Sequence, residues 1–180
     1  MEQLIMRWAN DGEKIPSLQL PQNCQVKNFS ELENAMDAWL EIVQYGLTNG
    51  KKDEKFYHAT MTIHSAYQED KCFFVLENGI PVATLTVICD YTKSEGYIHM
   101  VACHEAARGK GYGKQMLQLG IKFAFELYGA SKVTLEVFEN NPSAYHCYKA
   151  VGFIENGNSL TYNICNEEWK SIEMEICKKI

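Results

Sequence analysis

Residues 108–114 read Arg108-Gly109-Lys110-Gly111-Tyr112-Gly113-Lys114, and a run of apolar residues at helical spacing, 115–128, follows at once. Glycine lets backbone amides converge with no Cβ in the way. The first amides of a helix have no partner inside it, and the macrodipole adds positive potential at the same end. A glycine-rich turn that opens a helix is therefore a ready seat for a phosphate. Arg108, Lys110 and Lys114 add three cations to it, in a chain whose formal net charge is -6.

The pattern on either side says what the turn joins. Residues 71–77 read as a strand, Asn78-Gly79 as a tight hairpin turn, and 80–89 as its partner. The partner is apolar on both faces with interleaved threonines, which suits a central position. After a turn at 91–96, a third strand at 97–103 leads into the glycine loop. Beyond the loop Leu117, Ile121, Ala124, Phe125 and Tyr128 mark one helix face, with Gly129 just past its end. Residues 132–138 form the next strand, so strand, loop, helix and strand make a βαβ unit with two parallel strands. Asn141 and Pro142 open a further helix, and Gly152 closes it.

Upstream, residues 24–29 read as a strand. Ser30 and Glu33 have capping-box spacing, and Leu32, Met36, Trp39, Leu40, Val43 and Leu47 recur at helical spacing. A second helix is expected over 53–65. Segments 153–155, 160–164 and 171–177 supply closing strands. Residues 1–23 form a lead-in whose run 4–8 reads as an extra strand, and 24–180 read as a single domain. The fold expected is mixed α/β, with a mostly antiparallel sheet of about six to seven strands and about four helices.

With 180 residues, 46% apolar and 22% charged, the composition is that of an ordinary globular chain. An isoelectric point near 5.4 argues against a nucleic-acid surface. No apolar run approaches the ~20 residues that span a bilayer, so no membrane partner is expected. Seven cysteines lie mostly inside apolar runs, without a CxxC pair, and read as reduced thiols of a cytoplasmic protein. Cys103-His104 and His146-Cys147 are adjacent pairs, which rarely ligate one ion well, so no metal is expected.

Spacing separates the glycine-loop chemistries. A P-loop needs Gly, four residues, then Gly-Lys-Ser/Thr; here the first position is Arg108 and the last Gln115. A dinucleotide fingerprint needs a third glycine three residues after the second, where this chain has Lys114 or Met116. What remains is Arg-Gly-x-Gly-x-Gly after a strand ending at Val101, followed some 30 residues later by Asn141-x-x-Ala144-x-x-x-Tyr148-x-x-x-Gly152-Phe153. Together these resemble the GNAT superfamily of N-acetyltransferases, closely over 97–153 and in element order over 24–177.

The resemblance implies acetyl-CoA as co-substrate, its pyrophosphate on the amides of Arg108, Gly109, Lys110, Gly111, Tyr112, Gly113 and Lys114. It also implies a bulge that splays the strand before the loop, freeing an edge at 100–103 for the pantetheine arm. There an amide of Val101 or Ala102, beside Cys103, would polarise the thioester carbonyl. Asn141 and Ala144 belong to the matched motif, and Tyr148 matches the general acid that protonates the departing thiolate, with Tyr145 the next hydroxyl. A tyrosine pKa of ~10 against ~8.5 for a thiol makes that transfer plausible.

For the base, His99 is a candidate beside Glu95, Tyr97 and Glu136; a structural role for His99 is the alternative. Cys103-His104 is rejected as a nucleophilic pair, because strand neighbours point apart. The expected function is direct acetyl transfer to a primary amine, small-molecule or peptide, by a monomer or homodimer. A silent CoA-binding regulatory module and a transferase for another acyl-CoA are the alternatives. Trp39, Tyr45, Phe56, Tyr57 and Trp169 are candidate pocket aromatics, with core packing the default.

Overall fold

The computed structural model describes residues 6–9, 20–48, 50–138, 140–162 and 168–177, with the side chains of 20–48, 50–138 and 140–155. Eight strands pair in one sheet: β1 (Met6–Ala9), β2 (Cys24–Asn28), β3 (Cys72–Glu77), β4 (Ile80–Asp90), β5 (Glu95–Cys103), β6 (Lys132–Phe138), β7 (Ile154–Tyr162) and β8 (Glu168–Cys177). Their order across the sheet is β1-β7-β8-β6-β5-β4-β3-β2. Most pairings are antiparallel, and β5 with β6 is parallel, as a crossover through a helix requires.

Four α-helices accompany the sheet among the described residues: α1 (Ala35–Gly46), α2 (Glu54–Tyr57), α3 (Tyr112–Lys122) and α4 (Pro142–Val151). α2 continues as a wide π turn over His58–Thr62, and α3 as another over Phe123–Leu127. β3 shows why helices cover both faces. Phe73 and Val75 join the α3-side core with Leu85, Leu117 and Val133; Cys72, Phe74 and Leu76 join Trp39, Ile42 and Tyr57 on the α1 side. β4 lies between β3 and β5, and its Thr84 and Thr86 are fully buried. The Thr84 hydroxyl donates to the Phe73 carbonyl at 3.1 Å.

Several local expectations shift. The capping box forms at Asn28 and Glu31 around a single 3-10 turn rather than at Ser30 and Glu33. Asn28, at the end of β2, is an equally good cap two residues earlier. α1 accordingly begins at Ala35. The segments expected at 153–155 and 160–164 are one strand, β7, with a register irregularity between Glu155 and Asn158. The side chain of Trp169, and residues 1–5 and 10–19 of the lead-in, lie outside what is described.

Asn78 and Gly79 have φ of 52° and 83°, the left-handed pair of a two-residue hairpin turn. Asn141 caps α4 through the Ala144 amide at 3.1 Å, and Gly152, φ 111°, ends it.

Candidate active site

The site begins where β5 leaves β6. Their ladder runs from Glu95 opposite Lys132 to Ile98 opposite Leu135 and ends there, while β6 continues to Phe138 against β8. On its other side β5 stays paired with β4, but with a slip: His99 faces Thr86 and Ala102 faces Thr84. Met100 and Val101 together oppose the single residue Leu85, which is a β-bulge. Met100 has φ of 51°, a left-handed conformation uncommon for a side-chain-bearing residue. The bulge turns β5 away from β6 and opens a cavity of about 130 Å3 between them. His99, Met100 and Val101 line one wall, Glu136 and Phe138 the other, with Leu47 just past α1, Asn141 at the cap of α4 and Tyr148 within α4 completing it.

The glycine loop follows directly. Gly109 and Gly111 have φ of 79° and 83°, and a Cβ built on either meets no atom within 4 Å. Gly111 is the N-cap of α3 and offers no capping side chain. The first bond into the helix runs from the Gln115 amide to the Gly111 carbonyl at 3.2 Å, so the amides of Tyr112, Gly113 and Lys114 stand ahead of the ladder. This is an anion seat built from backbone.

Two of the loop's cations have protein partners. Arg108 donates to the carbonyls of Tyr45 and Gly46, at 3.0 and 3.3 Å. Lys110 pairs with Glu77 at 2.7 Å. Tyr112 is buried, its hydroxyl donating to Glu77 at 2.8 Å. Lys114 is exposed.

Tyr148 is buried at the cavity wall, and burial, then the neighbouring Cys147, pushes its hydroxyl above the ordinary value. It is therefore protonated at neutral pH, as a proton donor must be. Tyr145 differs: its hydroxyl bonds the Glu155 carboxylate. Ala144 is half-buried and packs against the core.

His99 and Tyr97 share the cavity-facing side of β5, with ring centroids 5.4 Å apart. The His99 Nε2 donates to the Thr60 carbonyl at 3.0 Å, which leaves Nδ1 as the acceptor. Burial first, and then His64, whose ring stands 4.7 Å away, push its pKa down to about 4, so the ring is neutral. Among the other base candidates, Glu136 lines the cavity and Glu95 pairs with Lys132 at 2.7 Å. Cys103 and His104 are not a nucleophilic pair. The His104 ring lies 5.2 Å from Tyr45, the Cys103 thiol donates to the His104 carbonyl, and burial raises that thiol's pKa.

Among the suggested pocket aromatics, Trp39 and Tyr57 are core, and the cavity lining includes none of the four that are described. Leu47, Phe138, Thr60 and Glu77 carried no signal of a site in the sequence, since each joins it only through tertiary placement.

The sequence model described as the acetyltransferase (GNAT) family matches residues 35–153. The chain belongs to this family. A spermine/spermidine N(1)-acetyltransferase of Bacillus subtilis is 43% identical over 59 residues, 33% of this chain; the matched stretch spans only 38% of that relative's length. The structure of the ribosomal-protein-S18-alanine N-acetyltransferase from Escherichia coli superposes with a TM-score of 0.66 at 21% identity, covering 87% of this chain and 95% of that one. Spermidine N-acetyltransferase from Vibrio cholerae, in complex with CoA and spermine, gives 0.64 at 17% identity, covering 88% and 97%. At such identities these two establish a common GNAT fold. Among the described residues no helix is long and apolar enough to cross a membrane.

Proposed function

We propose that the chain is an N-acetyltransferase that moves the acetyl group of acetyl-CoA directly to a primary amine within a ternary complex. One observation carries this reading: the edge of β5 that β6 leaves unpaired leads, through a 3-10 turn at Glu105–Ala107 and the glycine loop, to the start of α3, which has no capping side chain, and Tyr148 lines the cavity between the strands. Acetyl-CoA, when bound, supplies an activated thioester.

The chain's own groups fit that donor. Unpaired strand backbone takes up an extended amide chain as an added strand would. The left-handed glycines leave open space above the loop, and the amides of residues 112–114 receive pyrophosphate. An amide of Val101 or Ala102 polarises the thioester carbonyl as negative charge develops on its oxygen. The amine nitrogen bonds to the carbonyl carbon and gives up a proton. His99, whose neutral ring lines the cavity, is the proposed acceptor of that proton, and its lowered pKa makes it a weak base that serves only once attack has made the amine acidic. The carbon–sulfur bond breaks, and Tyr148 donates its hydroxyl proton to the departing thiolate.

The relatives named above are named for polyamine and ribosomal-protein amines, which supports amine nitrogen as the acceptor class. The test is release of free CoA thiol over a panel of monoamines, polyamines and N-terminal peptides. Thiol release that depends on the amine is expected. Saturable CoA binding with no release on any amine would overturn the assignment.

A further inference from the structure

Glu77 ends β3, immediately before the Asn78–Gly79 turn, and takes hydrogen bonds from two residues of the glycine loop. Lys110 Nζ donates to both of its carboxylate oxygens, at 3.0 and 2.7 Å, and the Tyr112 hydroxyl donates to Oε1 at 2.8 Å. Lys110 first, then Tyr112, hold the Glu77 carboxyl below its ordinary range. On the opposite flank Arg108 is anchored on the last carbonyls of α1. The stretch between these anchors contains Gly109 and Gly111, both left-handed, with no side chain to fix their dihedrals. Glycine gains freedom at the cost of definition, so contacts from outside must impose the loop's shape.

We infer that Glu77 is a positioning residue for the acyl donor, clamping Lys110 and Tyr112 so that the amides of residues 109–114 are aimed at one anion. This rests on the reading of that loop as the pyrophosphate seat. It also changes the part played by a cation: Lys110 acts as a strut rather than as a phosphate ligand.

Two effects of Glu77 oppose each other, which makes the inference testable by sign. A carboxylate near an anion site repels the anion, so on charge alone its removal tightens donor binding. Removing a clamp has the reverse effect, because the freed loop must be ordered anew on binding. Tyr112→Phe removes one arm of the clamp, along with the hydroxyl's 3.4 Å contact to Cys24 Sγ, without changing any charge, and so separates the second effect from the first.

The experiment measures CoA affinity by isothermal titration, and acetyl-CoA steady-state kinetics, for the parent chain, Glu77→Ala, Tyr112→Phe and the double variant. About a tenfold rise in Kd is expected for Glu77→Ala and a smaller rise for Tyr112→Phe. The double variant should be less than additive, with the loss in KM for the donor rather than in kcat. Unchanged or tighter binding by Glu77→Ala, no loss in Tyr112→Phe, or strictly additive losses overturn the clamp, while parent binding keeps the loop as the donor site. No CoA binding by the parent chain overturns the reading beneath it. Should Glu77→Ala fail to fold, Tyr112→Phe alone decides.

Discussion

A Cβ placed on Gly46, the last residue of α1, would lie 2.7 Å from the carbonyl oxygen of Cys103 and 3.0 Å from its amide nitrogen. Both contacts are with backbone of β5, just past the bulge. α1 therefore sits directly on the strand that bounds the cavity. Gly46→Ala must push the two apart, and overpacking of this kind costs about 1–3 kcal/mol. Urea unfolding should show the unfolding free energy falling by that amount, with a lower midpoint, together with weaker CoA binding. An unchanged midpoint would show that α1 yields without strain.

Met100 carries a side chain at a dihedral that glycine adopts freely, and it lines the cavity. Met100→Gly relieves left-handed crowding of about 1–2 kcal/mol and adds a glycine entropy cost of about 0.5–1 kcal/mol; it also gives up the packing of a half-buried side chain on the α1-side core, so stability should fall modestly. It also clears a wall beside the thioester position. Turnover with butyryl-CoA relative to acetyl-CoA should rise about tenfold or more, the scale on which hydrophobic pockets discriminate methylenes. An unaltered ratio would remove Met100 from the acyl-limiting wall.

Tyr148 and Tyr145 lie three residues apart on α4 with opposite expectations. Tyr148→Phe removes the proposed proton donor and should cut turnover about 100-fold with little change in CoA affinity. Tyr145→Phe, whose hydroxyl bonds Glu155, should keep turnover and lose stability. Equal rates in the two variants would take Tyr148 out of the mechanism.

His99 predicts a pH-dependent stability with a definite sign. Its pKa is pushed down to about 4 in the fold, against about 6.5 in the unfolded chain. The unfolded chain takes the proton first, so stability is complete above pH ~6.5 and falls as the pH drops toward 4, by about 3 kcal/mol in all. His64, also lowered by burial, adds in the same direction. Tm measured across that window should fall in the parent and fall less in His99→Gln. Parallel curves would place the loss elsewhere.

Gly111→Val puts a β-branched side chain at φ 83°, pointing into space that is open in the structure. CoA affinity should drop at least tenfold, since the branch both strains the loop and fills the anion's place. Retained affinity would contradict the seat on these amides.

Local chemistry made some of this legible before the fold was known. β6 at Lys132–Phe138 and α4 at Pro142–Val151 fall where expected, because alternation, an Asn-Pro start and a glycine stop are encoded within a few residues. The capping box was legible only as a type, since Asn28 and Ser30 are both good caps and tertiary packing chose the former. The bulge at Met100 has no composition signal, because it comes from a dihedral imposed on a side-chain-bearing residue. The π turn that brings the Thr60 carbonyl to His99 is likewise invisible in periodicity. Glu77 reaches Lys110 and Tyr112 across more than thirty residues, and no spacing rule spans that distance.

Backbone amide exchange with and without CoA reports on the donor site itself. CoA should slow exchange in two stretches, the β5 edge at residues 100–103 and the loop amides at 109–114. Binding that leaves both stretches unprotected would contradict this placement of the donor.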